Sequence, residues 1–267
     1  MVIVVDADLS GGITPDFFTA VSIGSIPGYI DGGKIGQSDT IPSTTFILLS
    51  NLTNATRVSN FPAATQQMQV VSSSVLDTAA GTGAQQVELT YLTEPGSPSG
   101  FKQFTEIITL NGTTPVLTVA TNINRIERFR VSRTGTGQVS AGNISLQSVG
   151  GATTFELIPG GENLNRTAVH FVQNGYKSII TDILLGVATS GGVRFSITTV
   201  ESDDFGNIVR IGQLEIQIAQ GSSTISLNKP IAIINDQNRR LSFAITVRGL
   251  AANQAASGSF NFIDIPI

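Results

Sequence analysis

With 267 residues, the chain is long enough for one large or two ordinary domains with full cores. Charged residues are only 13%, against about 25% in ordinary globular proteins, and the formal net charge is −4 with a pI near 5.0. This balance, without a basic tail or a dense Lys/Arg cluster, argues against nucleic acid, whose phosphates need neutralising, and the low charge suits a surface buried in an assembly.

The chain has no cysteine, which excludes disulfides and thiolate metal sites. Met1-Val2-Ile3-Val4-Val5-Asp6 has neither the basic n-region nor the apolar h-region of a signal peptide. No apolar run approaches the ~20 residues that cross a bilayer, so no membrane partner is expected. Asn-x-Ser/Thr sequons begin at Asn51, Asn54, Asn111, Asn143 and Asn165. In a chain this rich in Asn, Ser and Thr they arise by chance, and they are read as unglycosylated.

Residues 1–66 read as an irregular N-terminal arm. Pro15-Asp16 opens a short predicted helix over 17–22, because Pro is tolerated in a first turn. Gly24, Pro27, Gly28, Gly32, Gly33 and Gly36 then supply too many breakers for regular structure. Phe46–Leu49 reads as a strand.

Residues 67–158 read as a run of antiparallel strands. Val87, Leu89 and Tyr91 alternate with Gln86, Glu88 and Thr90, a period of two that turns one face to a core. Glu106–Leu110 and Val116–Val119 are rich in β-branched residues, and the Asn111-Gly112 between them predicts a hairpin. Ala79-Ala80-Gly81-Thr82-Gly83-Ala84 and Gly135–Gly142 are small-residue connections where backbones pass closely.

These residues carry a family likeness. Val70–Ser74, Asp77–Ala84, Leu110–Val116, Ile123–Arg125 and Ala141–Leu146 resemble a β-sandwich module common in virion proteins of tailed bacteriophages, most like a capsid decoration (cement) protein. The likeness covers about a third of the chain well and another third loosely. It extends weakly to Phe17-Phe18 and Ser25–Tyr29, and downstream to the strand at Lys177. It implies a virion location, a major capsid protein as partner and a homotrimer. It also implies an N-terminal arm that bridges subunits, the alternative being a solvent-exposed leader.

Pro159-Gly160-Gly161 reads as a linker. Beyond it, 162–267 contains segments at roughly dozen-residue spacing that predict a second sandwich or jelly roll, from Ala168–Val172 to Gly258–Ile265. Asp203–Asn207 and Asn228-Lys229-Pro230 read as hairpin turns, and Gly249–Ser257 as a longer loop. The expected fold is therefore all-β: antiparallel sandwich or jelly-roll-like modules behind an irregular arm.

Chemistry is sparse. His170, the single histidine, lies between Val169 and Phe171 without a nucleophile-elbow pattern, and reads as a strand residue facing solvent or a neighbour. Asp6, Asp8, Asp203 and Asp204 offer carboxylate pairs for Ca²⁺, but Asp-rich turns are ordinary. Glu88, Glu94, Glu106 and Glu127 offer carboxylates for glycoside chemistry, yet there is no Trp and only three Tyr to form a sugar platform. Gly81-Thr82-Gly83 and Gly135-Thr136-Gly137 lack the Lys-Ser/Thr of a phosphate loop and read as turns. Arg239-Arg240 beside Asp236 also reads as a turn.

The densest basic group is Arg125, Arg128, Arg130 and Arg133, with Arg128 and Arg130 on one strand face. It reads as an intersubunit ion-pair surface or as a solvated face, and Phe17 and Phe18 are further candidate intersubunit contacts. No cofactor and no metal are expected. The leading functional expectation is a non-enzymatic capsid decoration subunit. A tail-fibre, baseplate or vertex-spike protein binding a host receptor is the alternative. A hydrolase or lyase would require His170 beside two acids in a cleft.

Overall fold

The computed structural model describes residues 20, 26–52, 61–94, 96, 100–202, 208–237 and 239–267. The fold is all-β, as the alternation predicts. The strands are β1 (Ile30–Ile41), β2 (Ile47–Leu48), β3 (Met68–Ser72), β4 (Ala84–Leu92), β5 (Gln103–Thr109), β6 (Val116–Leu117), β7 (Arg125–Thr134) and β8 (Ile144–Ser148). They continue as β9 (Thr154–Ile158), β10 (Val169–Val172), β11 (Tyr176–Val187), β12 (Val193–Ser202), β13 (Ile208–Ile218), β14 (Gly221–Asn235), β15 (Leu241–Gly249) and β16 (Gln254–Pro266).

Among the described residues, four antiparallel sheets form. One has the order β6-β3-β8-β9 and another β5-β4-β7, and their inward side chains merge in one core containing Val70, Leu89, Phe129 and Leu146. The remaining two have the orders β1-β16-β11-β14 and β10-β15-β12-β13, with β2 added on β15. Their shared core includes Ile183, Phe195, Phe243 and Phe260. A third cluster of Leu48, Leu92, Phe101, Val169, Phe171 and Ala244 lies where the two pairs of sheets meet. Burial of alternating apolar side chains on both facing sheets is what holds such layers together.

Three of the segments with the family likeness converge on one buried carboxylate. Asp77 is fully buried and accepts from the Ser72 hydroxyl at 2.6 Å and from the backbone N–H groups of Ala84, Ala141 and Gly142 at 2.7, 2.8 and 3.0 Å. The small residues around it are explained by contact. A Cβ on Gly83 would lie 2.2 Å from Asp77 Oδ1, and one on Gly135 would lie 2.2 Å from the Gly81 carbonyl. The close backbone passage expected for these connections is therefore present.

Several expectations are corrected. Gly32, Gly33 and Gly36 do not break the chain but lie inside β1, a 12-residue strand paired with β16 from Ile30↔Asp264 to Ile41↔Gln254. Their smallness serves packing: a Cβ on Gly32 would meet the Phe262 ring at 2.5 Å, and one on Gly36 the Leu49 carbonyl at 2.5 Å. Asn111-Gly112 makes a turn with Gly112 at φ 60°, but it joins β5 to β6 in a different sheet and closes no hairpin. Asn228-Lys229-Pro230 is no hairpin either. It runs within β14 at a register irregularity opposite Ile180 and Asp182, where a proline missing its ladder donor is tolerated. The loop at 249–257 is shortened by the start of β16 at Gln254. The helix expected over 17–22 and the turn at Asp203–Asn207 lie outside the described residues apart from Ala20; Ser202↔Ile208 pairing flanks the latter.

Candidate functional site

Four charged side chains from four strands meet at the junction between the two pairs of sheets. Period-two alternation explains how each points inward. On β16, Phe260, Phe262 and Asp264 share a face. On β10 all four residues are buried, so His170 has no solvent side. On β1, Lys34 shares its face with the small Gly32, Gly36 and Ser38, which leave room for its long side chain. Glu127 lies in the buried first half of β7.

The contacts form a chain. Lys34 Nζ lies 2.6 Å from Glu127 Oε1 and also donates to the Glu127 backbone carbonyl. His170 Nδ1 is 2.9 Å from the same Oε1, and His170 Nε2 is 3.0 Å from Asp264 Oδ1. The backbone N–H of Phe171 donates to Glu127 Oε2 at 2.9 Å. The imidazole stacks on Phe262, with ring centroids 3.6 Å apart and planes inclined by 17°. His170 is 1% exposed, so the sequence expectation that it faces solvent or a neighbour is corrected: it is an interior residue.

Two cations and two carboxylates balance in this interior. Burial works against a charged ring at His170, but the carboxylates of Asp264 and then Glu127 outweigh it and push the imidazole up to about 9. Burial likewise opposes ionisation of Glu127, yet Lys34 and His170 hold its carboxyl below the ordinary value. A group with a raised folded-state value stabilises the fold fully below its unfolded value and loses that contribution as pH rises through the folded one. The His170 contribution is therefore expected to be complete below 6.5 and to disappear as pH climbs through about 9. Urea midpoints measured across that interval should fall in the wild type and stay flatter in His170→Gln. Parallel profiles would refute the assignment.

Beside the cluster lies a cleft of about 90 Å³, lined in part by Asp31, Lys34, Glu127, Arg128, Asn165 and Asp264. It has room for several waters and enough polar wall to hold them. His170 thus does sit beside two acids near a cleft. Both ring nitrogens are engaged by carboxylates, however, and a protonated ring with both N–H groups committed has no lone pair with which to act as a base. As drawn, the arrangement fixes charge and position, tying β1 and β7 to β10 and β16.

The other candidate residues fall elsewhere. Arg130 makes a bidentate pair with Glu88 at 3.0 and 2.9 Å, and Arg128 joins the same carboxylate at 3.1 Å, so they share a face as expected. Hydrogen bonding from Arg130, opposed by burial and aided by both charges, holds Glu88 below its ordinary value. Arg125 turns inward beneath the Phe61 ring, 4.6 Å from its centroid, and desolvation pushes it down to about 10. Arg133 is exposed. Glu106 caps the backbone N–H groups of Val119 and Ala120, and Glu94 receives Asn124 and Arg240. With Glu88 and Glu127 committed as above, the four glutamates serve separate contacts. Among the described residues no group of three or more His, Asp or Glu is placed to hold a metal ion. Phe17, Phe18, Asp6, Asp8, Asp203 and Asp204 lie outside the described residues.

No family model matches the chain, and no curated protein does. Among solved structures it is similar to one from the Gx strain of infectious bursal disease virus, at 12% identity over 98% of this chain and 78% of that one, with a TM-score of 0.23. The VP2 subviral particle of infectious bursal disease virus gives 11% identity over 95% and 78%, with a TM-score of 0.24. A protein of Parabacteroides distasonis described as secreted gives 8% identity over 91% and 93%, with a TM-score of 0.21. At such scores the folds do not superpose as wholes, and these likenesses carry no functional weight.

Proposed function

We propose that this chain is a non-enzymatic virion structural protein, a capsid decoration subunit that strengthens the joints between capsomers of a major capsid protein. The observation that carries the reading is the knot at Asp77. Three of the five segments resembling the tailed-phage module, Val70–Ser74, Asp77–Ala84 and Ala141–Leu146, meet at this carboxylate. That convergence supports reading these three segments as one structural unit. The low charge adds support, since charge is depleted in the cores of assembly interfaces.

In this reading the protein acts mechanically, by burying area across capsomer joints so that expansion or internal pressure must break more contacts. The subunit is a trimer. Its contact surface includes Arg128, Arg130 and Arg133 on β7 together with Phe17 and Phe18 of the leading segment, while Arg125 supports that strand from within. Immunogold labelling of intact particles with antibody against the chain tests the reading. Gold spread over the head in many copies is the expected result. Gold confined to a tail tip or vertex would replace it with receptor binding, and unlabelled particles would remove the virion assignment.

A further inference from the structure

The interior pair Lys34–Glu127 has the surroundings of a reacting amide, not only of an ion pair. The amine nitrogen lies 2.6 Å from one oxygen of the carboxyl it would join. That oxygen, Oε1, also receives a proton donor, His170 Nδ1, at 2.9 Å. The other oxygen, Oε2, receives the Phe171 backbone N–H, the kind of preorganised donor that stabilises developing negative charge on a carbonyl oxygen. Asp264 holds the far side of the imidazole and so sets its orientation. Lys34 and Glu127 are 10% and 7% exposed, which keeps bulk water from competing, and the adjoining cleft gives a released water a way out.

We propose that Lys34 and Glu127 condense within the folded chain to an isopeptide bond, with His170 as the proton-transferring catalytic residue and Asp264 as a positioning residue. The Lys34 ammonium first passes one proton to Oε1 along their contact. The amine lone pair then forms the Nζ–Cδ bond, and charge gathers on Oε2 under the Phe171 N–H. His170 gives its Nδ1 proton to Oε1, the Cδ–Oε1 bond breaks with its electrons, and water leaves. The imidazole recovers a proton from Nζ. The ammonium gives up two protons, one directly to Oε1 and one to His170 in place of the proton it gave, and keeps one on the amide, so atoms and charge balance without a further reactant. Fixed proximity supplies the rate, with effective molarities of roughly 10⁵–10⁸ M for well-oriented groups. Replacing two desolvated charges by a neutral amide supplies the driving force. The product closes a covalent loop between residues 93 apart, fastening β1 to β7.

The test is the mass of the full chain under denaturing conditions, both freshly purified and after prolonged incubation. The expected result is a species lighter than the sequence mass by one water, giving on proteolysis a branched peptide that joins Lys34 to Glu127. Lys34→Arg keeps the cation but not the primary amine and should retain full mass. His170→Gln should slow the loss of water by about 10²–10⁴-fold, an effect that a merely structural role would not produce in a folded variant. A wild-type chain that keeps its full mass throughout overturns the proposal, whatever the variants do. So does a water loss that persists in Lys34→Arg, which would place the dehydration elsewhere. Neither result depends on where the protein sits in a particle.

Discussion

Glu127→Ala, compared with wild-type chain of full mass, is expected to cost about 3–5 kcal/mol of folding stability, the range for removing one partner of a buried ion pair. The carboxylate receives Lys34 Nζ, His170 Nδ1 and the Phe171 N–H, and alanine removes that acceptor from all three, leaving the Lys34 amine only the backbone carbonyl of residue 127. Asp264 retains His170, but the described contacts of the Lys34 amine are with Glu127. The loss should therefore be largest for β1. Urea unfolding gives the total, and hydrogen exchange along β1 and β16 locates it. Glu127→Gln, which keeps shape and one acceptor, should fall between wild type and alanine. An alanine variant within ~1 kcal/mol of wild type would show that the interior charge is fully compensated by water entering the cleft.

Asp77→Ala should be at least as damaging, at roughly 6 kcal/mol or more, because hydrogen bonds to a charged acceptor are worth roughly 1.5–3 kcal/mol each and four donors would be left unmatched. The informative companion is Asp77→Asn. Oδ1 accepts from Ala84 and Ala141 while Oδ2 accepts from Ser72 and Gly142, so neither oxygen can become an amide without facing donors with a donor. Asparagine should therefore be nearly as destabilising as alanine despite its matching volume. A mild asparagine variant would mean that the knot tolerates a donor and that its acceptor geometry is not what gathers the module.

The strands were legible where one face is apolar and the other polar. Val87, Leu89 and Tyr91 occupy the core face that their alternation assigns them. The small-residue connections were legible as sites of close approach, though not as the wall around Asp77, whose side chain shows its importance only through donors as distant as Ala141 and Gly142. The glycines of β1 misled because a breaker and a close-packing residue are spelled alike. The charge cluster was hidden for a different reason. Lys34, Glu127, His170 and Asp264 sit on strands far apart in the chain, and nothing local pairs them. The one local sign was Asp264 sharing the Phe260–Phe262 face of β16, a carboxylate where alternation demands an interior residue.

The pairing of β1 with β16 also sets an order of assembly in time. Ile30 meets Asp264, more than two hundred residues further along the chain, so β1 has no strand partner until β16 has been made. The sheets β6-β3-β8-β9 and β5-β4-β7 draw only on strands between Met68 and Ile158 and can close on nearer contacts first. Glu127 then waits in a finished sandwich with neither Lys34 nor His170 beside it. The arrival of β16 delivers Asp264 and the edge for β1 in one event, so the cluster forms only after both pairs of sheets have their other strands.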